Sequence, residues 1–356
     1  MPPSAGRPLA LVDDPLFSEH RGRGYHPERP ERLVAARQAL RLAGERGLTS
    51  TVLAPRDATL DELARVHTPR YLDELSQLRG GHAALDDDTF LGPRSVEAAL
   101  RAAGGGLALV DALIDDRASL GLALVRPPGH HATPDRGMGF CLLNNVAAAA
   151  AHARARGVRR VAIVDWDVHH GNGTEAAFVT DPSVLFVSVH QHPFYPGTGS
   201  ANDRGRGEGE GYTVNVPLST GGDDATYARV FERLVGPVLD EYAPELVLVS
   251  AGFDAHARDP LAGMALSADG FAAMARTVRD VAARHASGRI GVFLEGGYDL
   301  EGLETSLLAT LLELGGLADP RRAHAGASFV PHVDPATTER DLTIAVAEAR
   351  RSWRLG

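Results

Sequence analysis

Between residues 120 and 294 the chain repeats one pattern five times: a short apolar, β-prone run followed at once by a cluster rich in Gly, Pro, His, Asp or Glu. The runs are Leu120 to Val125, Val161 to Val164, Val184 to Val189, Leu246 to Ser250 and Ile290 to Leu294. They are apolar throughout rather than alternating, the mark of strands covered on both faces. Stretches with helical character lie among them, at Asn145 to Arg156, Tyr227 to Leu239 and Ser267 to His285. This predicts an α/β fold with a central, mostly parallel sheet and helices on both faces. Ligands of such sheets gather beyond the carboxyl ends of the strands. The five clusters that sit there, Arg126 to His131, Asp165 to Gly173, His190-Gln191, Ala251 to Asp254 and Glu295 to Tyr298, are therefore expected to share one cleft.

At 356 residues and 44% hydrophobic content the chain can bury a large core. It shows no internal repeat or heptad pattern, and one domain over 1–356 is expected, with a core from about 7 to 317 and a C-terminal extension at 318–356. Asn202 to Gly211, rich in Gly and charge, reads as a surface loop. All 36 basic residues are arginine, which excludes a Schiff-base lysine and a phosphate-loop lysine. A net charge of -10 disfavours non-specific nucleic-acid binding and suits a cationic substrate. No run of about 18 apolar residues marks a membrane span, and the first residues lack a cationic stretch followed by an apolar core. With Cys141 alone there is no internal disulfide and no thiolate metal site. A cytoplasmic protein is expected, without membrane or nucleic-acid partners, and a homo-oligomer is left open.

Asp165, Asp167 and His169 alternate along an extended segment, so their side chains leave it on the same side. One such residue would ordinarily be a helix cap. Three in alternation before a Gly171-Asn172-Gly173 turn exceed what a cap needs, and Asp254 adds a carboxylate after another buried strand. An Asp/Asp/His donor set suits Zn²⁺ with a coordination position left open, and admits Fe²⁺. His130 and His131 follow a Pro-Pro-Gly bend and face these motifs, as proton-transfer groups would, each needing an orienting partner. Asp165 and Asn172 are the expected partners.

These motifs together resemble the histone deacetylase and acetylpolyamine amidohydrolase superfamily, most closely class II histone deacetylases and bacterial histone deacetylase-like amidohydrolases. The resemblance covers roughly residues 20 to 310. It is carried by His26 to Leu33, Pro127 to His131, Asp165 to Gly173, Tyr195-Pro196-Gly197-Thr198-Gly199, Ala251 to Asp254 and Glu295 to Tyr298. It implies an arginase-deacetylase fold and zinc-dependent hydrolysis of the acetamide of an acetylated lysine in a protein or peptide, releasing acetate. Asp167, His169 and Asp254 would hold the zinc. His131 would be general base and then acid, leaning on Asn172, where class I members carry Asp. His130, held by Asp165, would stabilise the transition state electrostatically, and Tyr298 would donate to the oxyanion. Members with His in place of Tyr298 are poor deacetylases.

The same resemblance makes Phe140, after Gly139, and Tyr195 the walls of a substrate tunnel, with Phe more usual than Tyr at position 195. Asp88 is expected as the rim acid that grips the substrate backbone. Leu261 stands where polyamine-selective relatives carry an acidic gatekeeper, which favours acetyl-lysine over an acetylated polyamine. A structural K⁺ would sit among Asp165, Ser188, Val189 and backbone groups of Asp167 and His169. A second would sit among carbonyls of Phe178, Asp181, Val184 and Tyr212. An acetylpolyamine amidohydrolase and an inactive acetyl-lysine-binding protein are the competing readings, and a binuclear arginase-like site has too few ligands here.

Overall fold

The computed structural model describes residues 7–22, 24–317 and 335–355. Among them ten strands occur: β1 (Leu9–Val12), β2 (Ser50–Val52), β3 (Ala83–Ala84), β4 (Phe90–Leu91), β5 (Leu120–Ala123), β6 (Val161–Asp165), β7 (Val184–Gln191), β8 (Thr213–Leu218), β9 (Leu246–Ala251) and β10 (Ile290–Leu294). β3 and β4 form a small antiparallel hairpin. The other eight make one sheet in the order β2-β1-β5-β10-β9-β6-β7-β8, parallel at every pairing. β5, β6, β9 and β10 are buried at every residue, as a sheet covered on both faces requires.

The strands read from sequence are β5, β6, β7, β9 and β10, with ends shifted by up to two residues. They are also five contiguous strands of the sheet, in the order β5-β10-β9-β6-β7. Segments far apart in sequence therefore end side by side along one edge. Asp165, at the end of β6, lies opposite Ser188 on β7 and Ser250 on β9.

The segment read as one helix from Tyr227 to Leu239 is two helices, Asp224–Val230 and Gly236–Tyr242, joined by a wider π-type turn at Phe231–Val235. Pro237 explains the break, because it supplies no N–H to the preceding turn and its ring crowds it. The described part of the C-terminal extension packs into the main core. The helix Pro335–Ala349 lies against edge strand β8, and Leu342, Val346 and Trp353 join the core cluster. Trp353 Nε1–H donates to the Gly211 carbonyl at 2.9 Å, and its ring meets Tyr212 and Tyr242 edge-on. The loop at 202–211 is therefore fastened on its inner side, with Arg204 paired to Glu210 and Glu348. No helix among the described residues is long and apolar enough to cross a membrane.

Candidate active site

The turn after β6 delivers Asp167 and His169, and the turn after β9 delivers Asp254. One donor atom from each lies within 4.8 Å of the others, and all three residues are buried. Backbone donors aim the carboxylates: Asp167 accepts from His169 N–H at 2.9 Å and Gly296 N–H at 2.8 Å, and Asp254 Oδ1 accepts from Val168 N–H at 2.9 Å. The other oxygen, Asp254 Oδ2, is buried with no well-formed hydrogen bond and lies 3.2 Å from His169 Nδ1. A Cβ at Gly252 or Gly296 would run into these carboxylates, so the space beside them is kept clear. Burial opposes charge on His169, yet Asp167 and Asp254 carry its pKa up to about 10. The three groups thus demand a positive charge among them. This donor set, with its unsatisfied buried oxygen, fits a divalent cation.

His130 and His131 follow β5, their rings 4.0 Å apart. His130 Nδ1 lies 3.0 Å from Asp165 Oδ2, and His131 Nδ1 lies 2.8 Å from Asn172 Oδ1. The two rings are driven apart in charge. Burial works against a charged His130, but Asp167 and Asp165 raise its pKa to about 10. Burial, then His130 and His169, push His131 well below the ordinary histidine range. A cationic and a neutral imidazole side by side is an arrangement that separates electrostatic from proton-transfer roles.

Tyr298, after β10, is buried, and burial followed by Asp254 raises its pKa well above the ordinary phenol, so it remains a hydroxyl donor. Its backbone N–H donates to Asp259 Oδ2 at 2.6 Å. The Phe140 ring meets it edge-on at 5.9 Å, and the Tyr195 ring meets His131 edge-on at 5.1 Å. Tyr195 is 37% exposed, which puts it at the mouth. Gly139 and Phe140 take φ of +56° and +69°. Both central positions of this turn are left-handed, the type I′ geometry, and Phe140 adopts it at a cost that glycine would not incur. Phe140 N–H donates to Thr89 Oγ1, whose hydroxyl donates to Asp88 Oδ1. Asp88 thus reaches the site's edge through Thr89. Leu261 is half-buried, and its N–H donates to Asp259 Oδ1 at 3.0 Å.

Of the expected cation positions, Asp165 Oδ1 accepts from Asp167 N–H, and Ser188, with Val189 after it, is hydrogen-bonded through Oγ to His190 Nδ1 at 2.9 Å. Phe178, Asp181 and Val184 lie along the segment that leads into β7; Phe178 O accepts from Asp181 N–H, and Tyr212 O, just before β8, accepts from Phe186 N–H. The third polar cluster does not reach the site. His190 packs on His170 and bonds to Gly199 O, and Gln191 Oε1 accepts from Gly263 N–H.

Three groups beside the site had no role assigned from sequence. Glu295 accepts from Gly129 N–H at 2.6 Å and His130 N–H at 3.2 Å, holding the histidine pair in place; burial raises its pKa to about 7 against the pull of His130. Phe194 stacks on His169 at 5.3 Å. Arg32 is fully buried, donates to Gly297 O at 2.7 Å and to Glu295 O, and lies over the Tyr298 ring at 5.0 Å.

Glu28 sits between Arg32 and Arg126 in a buried cluster. Burial alone would raise its pKa, but Arg126 and then Arg32 hold it well below the carboxylate range. A depressed pKa contributes stability that is present above the unfolded value and lost as pH falls through the folded one. Glu28→Gln, which leaves two buried guanidinium groups under-compensated, is expected to cost roughly 3–5 kcal/mol in urea unfolding at pH 7. It should also flatten the stability loss expected of the parent on acidification below about pH 4.3.

Residues 26–314 match the histone deacetylase domain family. The chain belongs to that family. It is 41% identical over 292 residues to a probable deacetylase of Archaeoglobus fulgidus, covering 80% of each. To the histone deacetylase-like amidohydrolase of Pseudomonas aeruginosa it is 43% identical over 324 residues, 89% of this chain and 84% of that one. To the polyamine deacetylase HDAC10 of Homo sapiens it is 42% identical over 313 residues, 82% of this chain and 45% of that one. Among solved structures, the crystal structure of the HDA15 HD domain aligns with a TM-score of 0.87 at 36% identity, over 98% of this chain and 95% of that one. The arginase-deacetylase fold expected from the motifs is the fold of this histone deacetylase family member.

Proposed function

We propose that this deacetylase hydrolyses the acetamide of an acetylated lysine side chain, releasing acetate and the free amine, with Zn²⁺ as its metal. The observation that carries this is the convergence of Asp167, His169 and Asp254 beside one charged and one neutral histidine, with Tyr298 adjoining. Asp167, His169 and Asp254 would hold Zn²⁺, and the same donors admit Fe²⁺; the bound ion would supply Lewis-acid polarisation of the acetyl carbonyl, and zinc would also lower the pKa of water to about 7. His131, neutral and with Nδ1 directed at Asn172, keeps Nε2 free to take the proton of the attacking water and then to pass it to the leaving amine. The Tyr298 hydroxyl donates to the oxygen on which negative charge develops, and the His130 cation, anchored by Asp165, favours the same charge. Phe140 and Tyr195 shield the apolar lysine stem. Asp165, Ser188 and Val189 remain our candidates for one structural K⁺, and the segment at Phe178, Asp181 and Val184 with Tyr212 for a second. The buried Cys141 fits work in a reducing cytoplasm.

An acetylated polyamine is the second reading, and the human relative's name favours it. The geometry near Leu261 weighs against it. Asp259 is the acid next to that position, and its carboxylate is already taken by the N–H groups of Leu261, Tyr298 and Asp299. No carboxylate of this segment is left to meet a distal ammonium. Parallel turnover assays on an acetyl-lysine peptide and on acetylspermidine should favour the peptide, and a large preference for the polyamine would reverse the ranking. Metal analysis should find one zinc per chain, lost in Asp254→Ala; an active protein without metal would overturn the assignment.

A further inference from the structure

The partner of His131 is an amide, and an amide can face a ring nitrogen in two ways. With its oxygen forward it accepts from Nδ1–H, which leaves the lone pair on Nε2. With its NH₂ forward it donates to a bare Nδ1, the ring proton moves to Nε2, and the base is lost. A carboxylate would not face this choice, since both of its oxygens accept. At position 172 the choice must be made by whatever meets the far side of the amide.

That neighbour is a thioether. Asn172 Oδ1 lies 2.8 Å from His131 Nδ1, and Asn172 Nδ2 lies 3.4 Å from Met138 Sδ. Sulfur here accepts and has no proton to give. In the reverse orientation Asn172 Oδ1 would face it, setting two acceptors together without a hydrogen. The backbone of Met138 is fixed by a tight turn. Its N–H donates to Cys141 O at 3.0 Å and its carbonyl accepts from Cys141 N–H at 2.9 Å, closing the type I′ turn that also carries Phe140. Asn172 is equally fixed, because the next two residues, Gly173 and Thr174, donate their N–H groups to His130 O.

We propose that Met138 is a positioning residue that selects the orientation of the Asn172 amide and, through it, the His131 tautomer with Nε2 free. This rests on the reading of His131 as the proton-transfer group. Met138→Leu keeps the bulk and removes the acceptor. It is expected to lower kcat about fivefold, the equivalent of one ordinary hydrogen bond, with KM unchanged. In the Asn172→Asp background the same substitution should change kcat by about twofold or less, because a carboxylate needs no orienting. Equal losses in both backgrounds would reduce Met138 to a packing role, and no loss in either would remove it altogether. ¹⁵N spectra of the histidine-labelled holoenzyme give a readout that does not depend on turnover. His131 should carry its proton on Nδ1 in the parent and gain an Nε2–H population in Met138→Leu; an unchanged tautomer would overturn the proposal. His131→Ala at full activity would instead overturn the role of His131, so the two failures are separable.

Discussion

His131→Ala is expected to lower kcat by about 10³-fold while leaving zinc content and KM close to the parent's. The size follows from what the ring does alone. Its neighbour His130 has Nδ1 3.0 Å from Asp165 and Nε2 3.8 Å from Asp167, so both of its ring nitrogens already face carboxylates. The other imidazole within reach, His169, points its Nδ1 between Asp167 and Asp254 and is committed there. No second imidazole is therefore available to take over. The change removes a buried ring, but the two carboxylates proposed to hold the metal keep their backbone donors and His169 keeps its contacts with them, so metal should remain. Turnover measured beside metal content on the same preparation checks this. A variant with near-parental kcat would show that proton transfer runs elsewhere, and one that loses zinc in proportion to activity would show that the ring is structural.

Much of this was legible in the sequence because the chemistry sits where strands stop. A buried parallel strand is an unbroken apolar run, and a polar cluster after it stands out. Asp165, Asp167, His169 and Asp254 were readable for that reason, as were His130 and His131; which of them would hold the metal, and the role of Tyr298, came from the family resemblance. β1 and β2 were not readable, being only three or four residues long, and β2 is exposed at every residue, so neither reads as a long apolar run. β8 escaped because it contains Pro217, which reads as a strand breaker and is tolerated at the edge of a sheet. Arg32 and Glu28 escaped for a different reason. Charged residues near a helix start read as solvated surface, and only the tertiary fold shows that Arg126, about a hundred residues away, completes their cluster. The role of Met138 was beyond reach too, since a methionine beside glycine carries no signal until its sulfur is seen against Asn172.

The glycine turn that ends β10 makes Tyr298 the other decisive position. Tyr298→Phe is expected to lower kcat about 10²- to 10³-fold, the range seen when one oxyanion donor is removed. The argument is narrow because so little else changes. Phenylalanine retains the ring that lies under Arg32 and meets Phe140, and the backbone N–H that Asp259 accepts is untouched. The lost atom is a hydroxyl that burial and Asp254 keep protonated, so it is a donor at every working pH. Zinc content, thermal stability and substrate binding should therefore stay near the parent while turnover falls. Metal content and kcat declining together would mean that the ring braces the site rather than serving the reaction. Unchanged turnover would mean that negative charge develops out of the hydroxyl's reach.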